Sequence, residues 1–129
     1  MITDTMTAWH KLVKDRDAAG LDNILAENVI FHSPVVHTPQ VGKPITLLYL
    51  TAALHVLNND SFKYLREVVS GSNAVLEFHT VIDGITINGV DMITWGKDGK
   101  ITDFKVMIRP LKAINLIHKM MADMLQKIQ

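Results

Sequence analysis

The chain has 129 residues, 48% hydrophobic and 20% charged, a balance that excludes a disordered chain and leaves enough apolar material for one proper core. Thirteen Lys and Arg offset thirteen Asp and Glu, so nothing in the charge favours nucleic acid or an anionic membrane surface. Cysteine is absent, which excludes disulfides and zinc–thiolate sites and is compatible with a reducing cytoplasm. The amphipathic N-terminus lacks a signal-peptide core, and no apolar run reaches the length of a membrane span. The expectation is a single cytoplasmic domain over 1–129 that binds neither nucleic acid nor membrane.

Residues 3–18 place Met6, Trp9, Leu12 and Val13 on one stripe, which predicts an amphipathic helix. Gly20 reads as its C-terminal cap, and a short second helix follows over Leu21 to Glu27. Val29 to Ser33 reads as a strand. Pro34 to Lys43, with Pro34, Pro39 and Gly42, reads as a loop. Pro44 suits the first turn of a third helix carrying Leu47, Leu50, Leu54 and Leu57. Four strands are then predicted: Phe62 to Ser70, Ala74 to Ile82, Gly84 to Trp95 and Lys100 to Arg109. Asp83-Gly84 and Asp98-Gly99 are the hairpin signals between them. Pro110 stops the sheet and opens a last helix, with Leu111, Ile114, Ile117, Met121, Met124 and Ile128 at helical spacing. The order predicts an α+β domain, a curved antiparallel meander packed against helices, with a concave pocket and a C-terminal helix.

The stretch GITINGVDMITW, Gly84 to Trp95, organises the rest. Its alternation puts Ile85, Ile87, Gly89, Asp91, Ile93 and Trp95 on one face. One carboxylate interrupts that apolar face. A charge without water or partner is costly, so such a group shifts its pKa or finds a hydrogen-bond partner. Asp91 is therefore either a structural acid held by neighbours or a working group in an apolar pocket.

The motifs FHSP at Phe31 to Pro34, GVDMITW at Gly89 to Trp95 and DGKITDFKV at Asp98 to Val106, with the order of elements, resemble the SnoaL-like branch of the nuclear transport factor 2 superfamily. The resemblance covers nearly the whole chain. It implies a cone-shaped barrel with an internal pocket and a homodimer through the outer sheet face. The superfamily holds cyclases, isomerases, epoxide hydrolases, dehydratases and non-catalytic binders, so the fold alone does not select a reaction. Asp91 matches the position where ketosteroid isomerases carry a protonated acid that donates to the developing oxyanion. Three departures accompany that match. The family's general base aligns with Ser33, which takes no proton unaided at neutral pH. The oxyanion-hole tyrosine has no counterpart in the first helix, where Trp9 and Val13 are the pocket candidates. The closing helix after Pro110 is longer than in many relatives.

The catalytic candidates are Asp91, His32 and Ser33. Histidine titrates in the range useful for a general base. Along a regular strand, however, His32 and Ser33 point to opposite faces. Phe31, Leu76, Phe78, Ile93, Trp95, Phe104, Val106 and Ile108 are the candidate pocket wall, together with Trp9 and the hydroxyl-bearing Tyr49 and Tyr64. The same aromatics are equally ordinary core residues. No HExxH or His-x-His spacing occurs, no phosphate-cradling glycine loop and no nucleophile elbow, so neither a metal nor a cofactor is expected. The expected ligand is a small hydrophobic molecule.

Overall fold

The computed structural model describes residues 2–128. Helix α1 spans Ile2–Asp15 and buries the predicted stripe of Met6, Trp9, Leu12 and Val13. It ends earlier than the sequence reading, because Arg16 turns into the left-handed region (φ 54°). Gly20 is not its cap but closes a short 3-10 turn, Ala18–Gly20, where its amide donates to Asp17 Oδ1 at 3.2 Å. Helix α2 is only Leu21–Ile24, so the predicted helix to Glu27 is corrected. From Leu25 the chain is already strand β1, Leu25–His32, with Leu25, Val29 and Phe31 buried. Leu25 pairs with Ile101, and this long-range pairing overrides the local helical spacing.

The predicted loop after Pro34 contains a two-residue strand, β2 (Gln40–Val41), paired with β1. Helix α3 follows over Lys43–Leu57, with Pro44 in its first turn. Strands β3 (Lys63–Ser70), β4 (Asn73–Ile82), β5 (Ile85–Trp95) and β6 (Ile101–Arg109) form the meander, and α4 (Leu111–Ile128) closes the chain. The β4–β5 turn has positive φ at both Asp83 (51°) and Gly84 (75°), the two-residue geometry that matches strand twist.

The six strands lie in the order β2-β1-β6-β5-β4-β3. Neighbours are antiparallel except β1 and β6, which run parallel. Register shifts in β1, β3 and at the end of β5 bend the sheet into an open curve, in keeping with an α+β cone of the nuclear transport factor 2 type. The concave face meets α1, α3 and α4 over one continuous apolar core.

Candidate functional site

Along β5 burial alternates from Ile87 to Trp95, so Asp91 points inward with its apolar neighbours. It lies opposite Leu76 on β4 and Val106 on β6, and 7% of it remains exposed. A glycine precedes it on the same face for a steric reason. A Cβ at Gly89 would sit 2.5 Å from Phe78 Cζ and 2.7 Å from the Met107 carbonyl oxygen. Phe78 occupies the space that a side chain at 89 would need.

Asp91 sits in the wall of an apolar hollow bounded by α1, α3, α4 and the concave sheet face. Of the lining residues, only Trp9, Asn58, Tyr64 and Asp91 bear a side-chain nitrogen or oxygen. Room for the centre of a water molecule amounts to about 60 Å³, within about 660 Å³ of empty space counted out through the open mouth. The hollow is narrow. Aromatic rings shape it: Phe62 stacks on Phe78 at 5.5 Å and meets Tyr64 edge-on at 5.2 Å, while Trp9 tilts against Phe104 at 5.0 Å.

One hydrogen-bond chain reaches the acid. The Tyr64 hydroxyl donates to Asp91 Oδ2 at 2.7 Å, and the Trp9 indole N–H donates to the Tyr64 oxygen at 3.0 Å. Burial drives the Asp91 carboxyl up from 3.8 to about 7, against the opposing pull of the Tyr64 donor. Burial and the Asp91 charge push the Tyr64 phenol well above its ordinary value, so Tyr64 stays neutral. Near neutral pH Asp91 thus holds comparable populations of acid and carboxylate. Such a group can take a proton and return it without a large penalty in either direction.

The remaining candidates divide. Phe31, Phe78, Phe104, Val106, Ile108, Trp9 and Tyr64 line the hollow with Asp91. Leu76, Ile93 and Trp95 share its face of the sheet but pack in the core outside the lining. Tyr49 stacks behind Phe31 at 5.7 Å. His32 and Ser33 are also outside the lining. Phe31 takes the inward position at the end of β1, and His32 turns to Asp103 on β6, Nε2 to Oδ1 2.9 Å. Ser33 Oγ accepts the Val35 amide at 3.1 Å and so serves the turn after the strand. The sequence reading missed Leu50, Ala53, Leu54, Leu57, Asn58, Phe62 and Ile117 as lining, and with them Pro34 and Val35 of the loop after β1. The leucine repeat of the third helix was the available signal for the first of these. Among the described residues no cluster of three or more ligating side chains could hold a metal, and no helix is long and apolar enough to cross a membrane.

A curved sheet closed by helices over an apolar hollow with one buried acid defines the class: an α+β cone of the nuclear transport factor 2 type. Residues 6–104 match the SnoaL-like domain, and the chain belongs to that family. It is similar to a steroid delta-isomerase from Pseudomonas aeruginosa at 34% identity, over 98% of this chain and 93% of that one, TM-score 0.93. A protein conserved in bacteria with a cystatin-like fold, from Silicibacter pomeroyi DSS-3, is 28% identical over 92% of this chain and 83% of its own, TM-score 0.84. An NTF2-like protein from Mesorhizobium loti shares the fold at 17% identity, over 84% of this chain and 91% of its own, TM-score 0.72. No curated protein matches the chain.

Proposed function

We propose that the protein is a cofactor-independent acid/base enzyme acting on a small hydrophobic carbonyl compound, with Asp91 as the group that moves the proton. The observation that carries this reading is the pairing of Asp91 with Tyr64 beside an otherwise apolar hollow. The 34% identity to a steroid delta-isomerase gives the reaction class its support. In the simplest form, the Asp91 carboxylate takes a proton from the carbon between a carbonyl and a C=C bond. The electron pair passes to the carbonyl oxygen as a dienolate. Asp91 then returns the proton to the far end of the dienolate, and the product is the conjugated enone. The dry wall favours the neutral ketone and the neutral acid, and the Tyr64 hydroxyl, donating to Oδ2, holds Asp91 in place as a carboxylate before the first transfer and as the acid between the two. Ser33 and His32 take no part in this scheme.

A β,γ-unsaturated ketone is the substrate to test, followed by the ultraviolet absorbance of the conjugated product. Replacing Asp91 by Asn is expected to lower kcat by about 10²–10⁴. Turnover that survives Asp91→Asn would remove Asp91 from the chemistry. The narrowness of the hollow favours a second reading, a non-catalytic ligand-binding or dimerisation module, which turnover by the wild type would refute.

The same proposal includes a cytoplasmic homodimer. Val68, Val75, Val81 and Met107 leave apolar surface on the sheet, and Glu77 among them is held by Arg66 and Asn88. Burying that surface against a second copy is its expected use.

A further inference from the structure

The chain from Trp9 to Asp91 has a direction, and the direction comes from Trp9. An indole N–H donates and cannot accept. The Tyr64 oxygen accepts it at 3.0 Å, so the single phenolic proton is free to point at Asp91 Oδ2, 2.7 Å away. Asp91 Oδ2 is then an acceptor in either protonation state. Oδ1 bonds to no described residue, yet it is not among the buried atoms that lack a partner. It therefore keeps accessible surface, and Asp91 lines the hollow.

We propose that Trp9 is a positioning residue that fixes the polarity of this chain, so that the proton handled by the site rides on Asp91 Oδ1. The proposal rests on the reading of Asp91 as the proton carrier and adds which oxygen does it and what enforces the choice. Without the indole N–H, the Tyr64 oxygen has a free acceptor position. A protonated Asp91 is then able to place its proton on Oδ2 and donate to Tyr64, turned away from the ligand. The indole also polarises the phenol, which strengthens its donation to the carboxylate. Both effects have one sign: removing the Trp9 donor raises the Asp91 pKa.

Few other charges reach this unit. From α3 and α4 the hollow receives no ionisable side chain. Leu76 and Val106 flank Asp91 on the sheet. From α1, His10 meets the Tyr64 ring edge-on at 5.5 Å and pairs with Glu67 of β3, Nε2 to Oε1 2.6 Å. Both are retained in every variant below, so their contribution cancels in the comparison.

The test replaces Trp9 by benzothienylalanine, which keeps the fused ring against Phe104 and puts sulfur where the N–H was. The Asp91 carboxyl carbon is followed by NMR through a pH titration, assigned by its disappearance in Asp91→Asn. A rise of a few tenths of a pH unit is expected for the isostere, and about one unit for Tyr64→Phe. In the Tyr64→Phe background the isostere is expected to add nothing, since its effect passes through the phenol. Trp9→Phe is the encoded substitute and is expected to shift the titration in the same direction. An unmoved titration, or an equal shift with and without Tyr64, overturns the proposal. The titration needs no substrate, whereas the functional reading is decided by turnover, so each can fail alone.

Discussion

The acid in the hollow makes a prediction about folding that needs no ligand. An Asp held at about 7 in the folded chain, against 3.8 when free, keeps its proton in the folded state over a range where the unfolded state has lost it. Its contribution is therefore fully favourable below pH 3.8 and is lost as pH climbs through about 7. Each pH step between costs about 1.4 kcal/mol, so the whole climb removes at most about 4 kcal/mol. Asp91→Asn cannot ionise. It carries a fixed cost, about 1–3 kcal/mol for an amide whose oxygen can still accept from Tyr64 but whose NH2 faces apolar walls, and that cost does not depend on pH. The difference in unfolding free energy between wild type and Asp91→Asn, from urea melts at pH about 4.5 to about 8, should fall by about 3 kcal/mol against the wild type. The His10–Glu67 and His32–Asp103 pairs are present unchanged in both proteins and drop out of the difference. Parallel curves would show that Asp91 ionises in the fold as easily as in water, and the desolvation argument would be wrong.

Three further outcomes are expected. Gly89→Ala forces a methyl group against Phe78 and the Met107 carbonyl, and should cost about 1–3 kcal/mol in chemical denaturation. Its crystal structure should show Phe78 displaced; an unmoved ring at full stability would refute the steric account. His32→Ala removes a half-exposed pair with Asp103, so stability should change by less than about 1 kcal/mol. Turnover of the β,γ-unsaturated ketone should persist in that variant, and its loss would return His32 to the site. Met107→Glu places a charge on the outer sheet face and should turn the proposed dimer into a monomer in sedimentation, with the far-ultraviolet circular dichroism unchanged.

The face on which each residue sits was legible in the sequence; its depth along the cone was not. Alternation in Gly84 to Trp95 is enough to turn Asp91 inward, because a strand has only two faces. The same alternation assigns Ile93 and Trp95 to that face, yet they lie further along β5, buried in the core and outside the hollow's lining. Leu76 faces Asp91 directly and still packs shut. The segment Leu21 to Glu27 failed for another reason. Leu21, Ile24 and Leu25 fit a helical stripe, and only the pairing of Leu25 with Ile101, seventy-six positions on, makes the last of them a strand residue. The partner of Asp91 was hidden by the same kind of distance. Tyr64 appeared as one of two plausible hydroxyls, and nothing local separates it from Tyr49. What separates them is the irregular register after Tyr64 and the arrival of Trp9 from α1.

Helix α4 brings Ile117 and Met121 to the hollow, while Asp91 and Tyr64 stand on β5 and β3. The proton-handling pair and this part of the wall are thus carried by different segments of the chain. Substituting Ile117 and Met121 while leaving Asp91 and Tyr64 untouched should therefore reshape what the hollow admits without touching the groups that handle the proton.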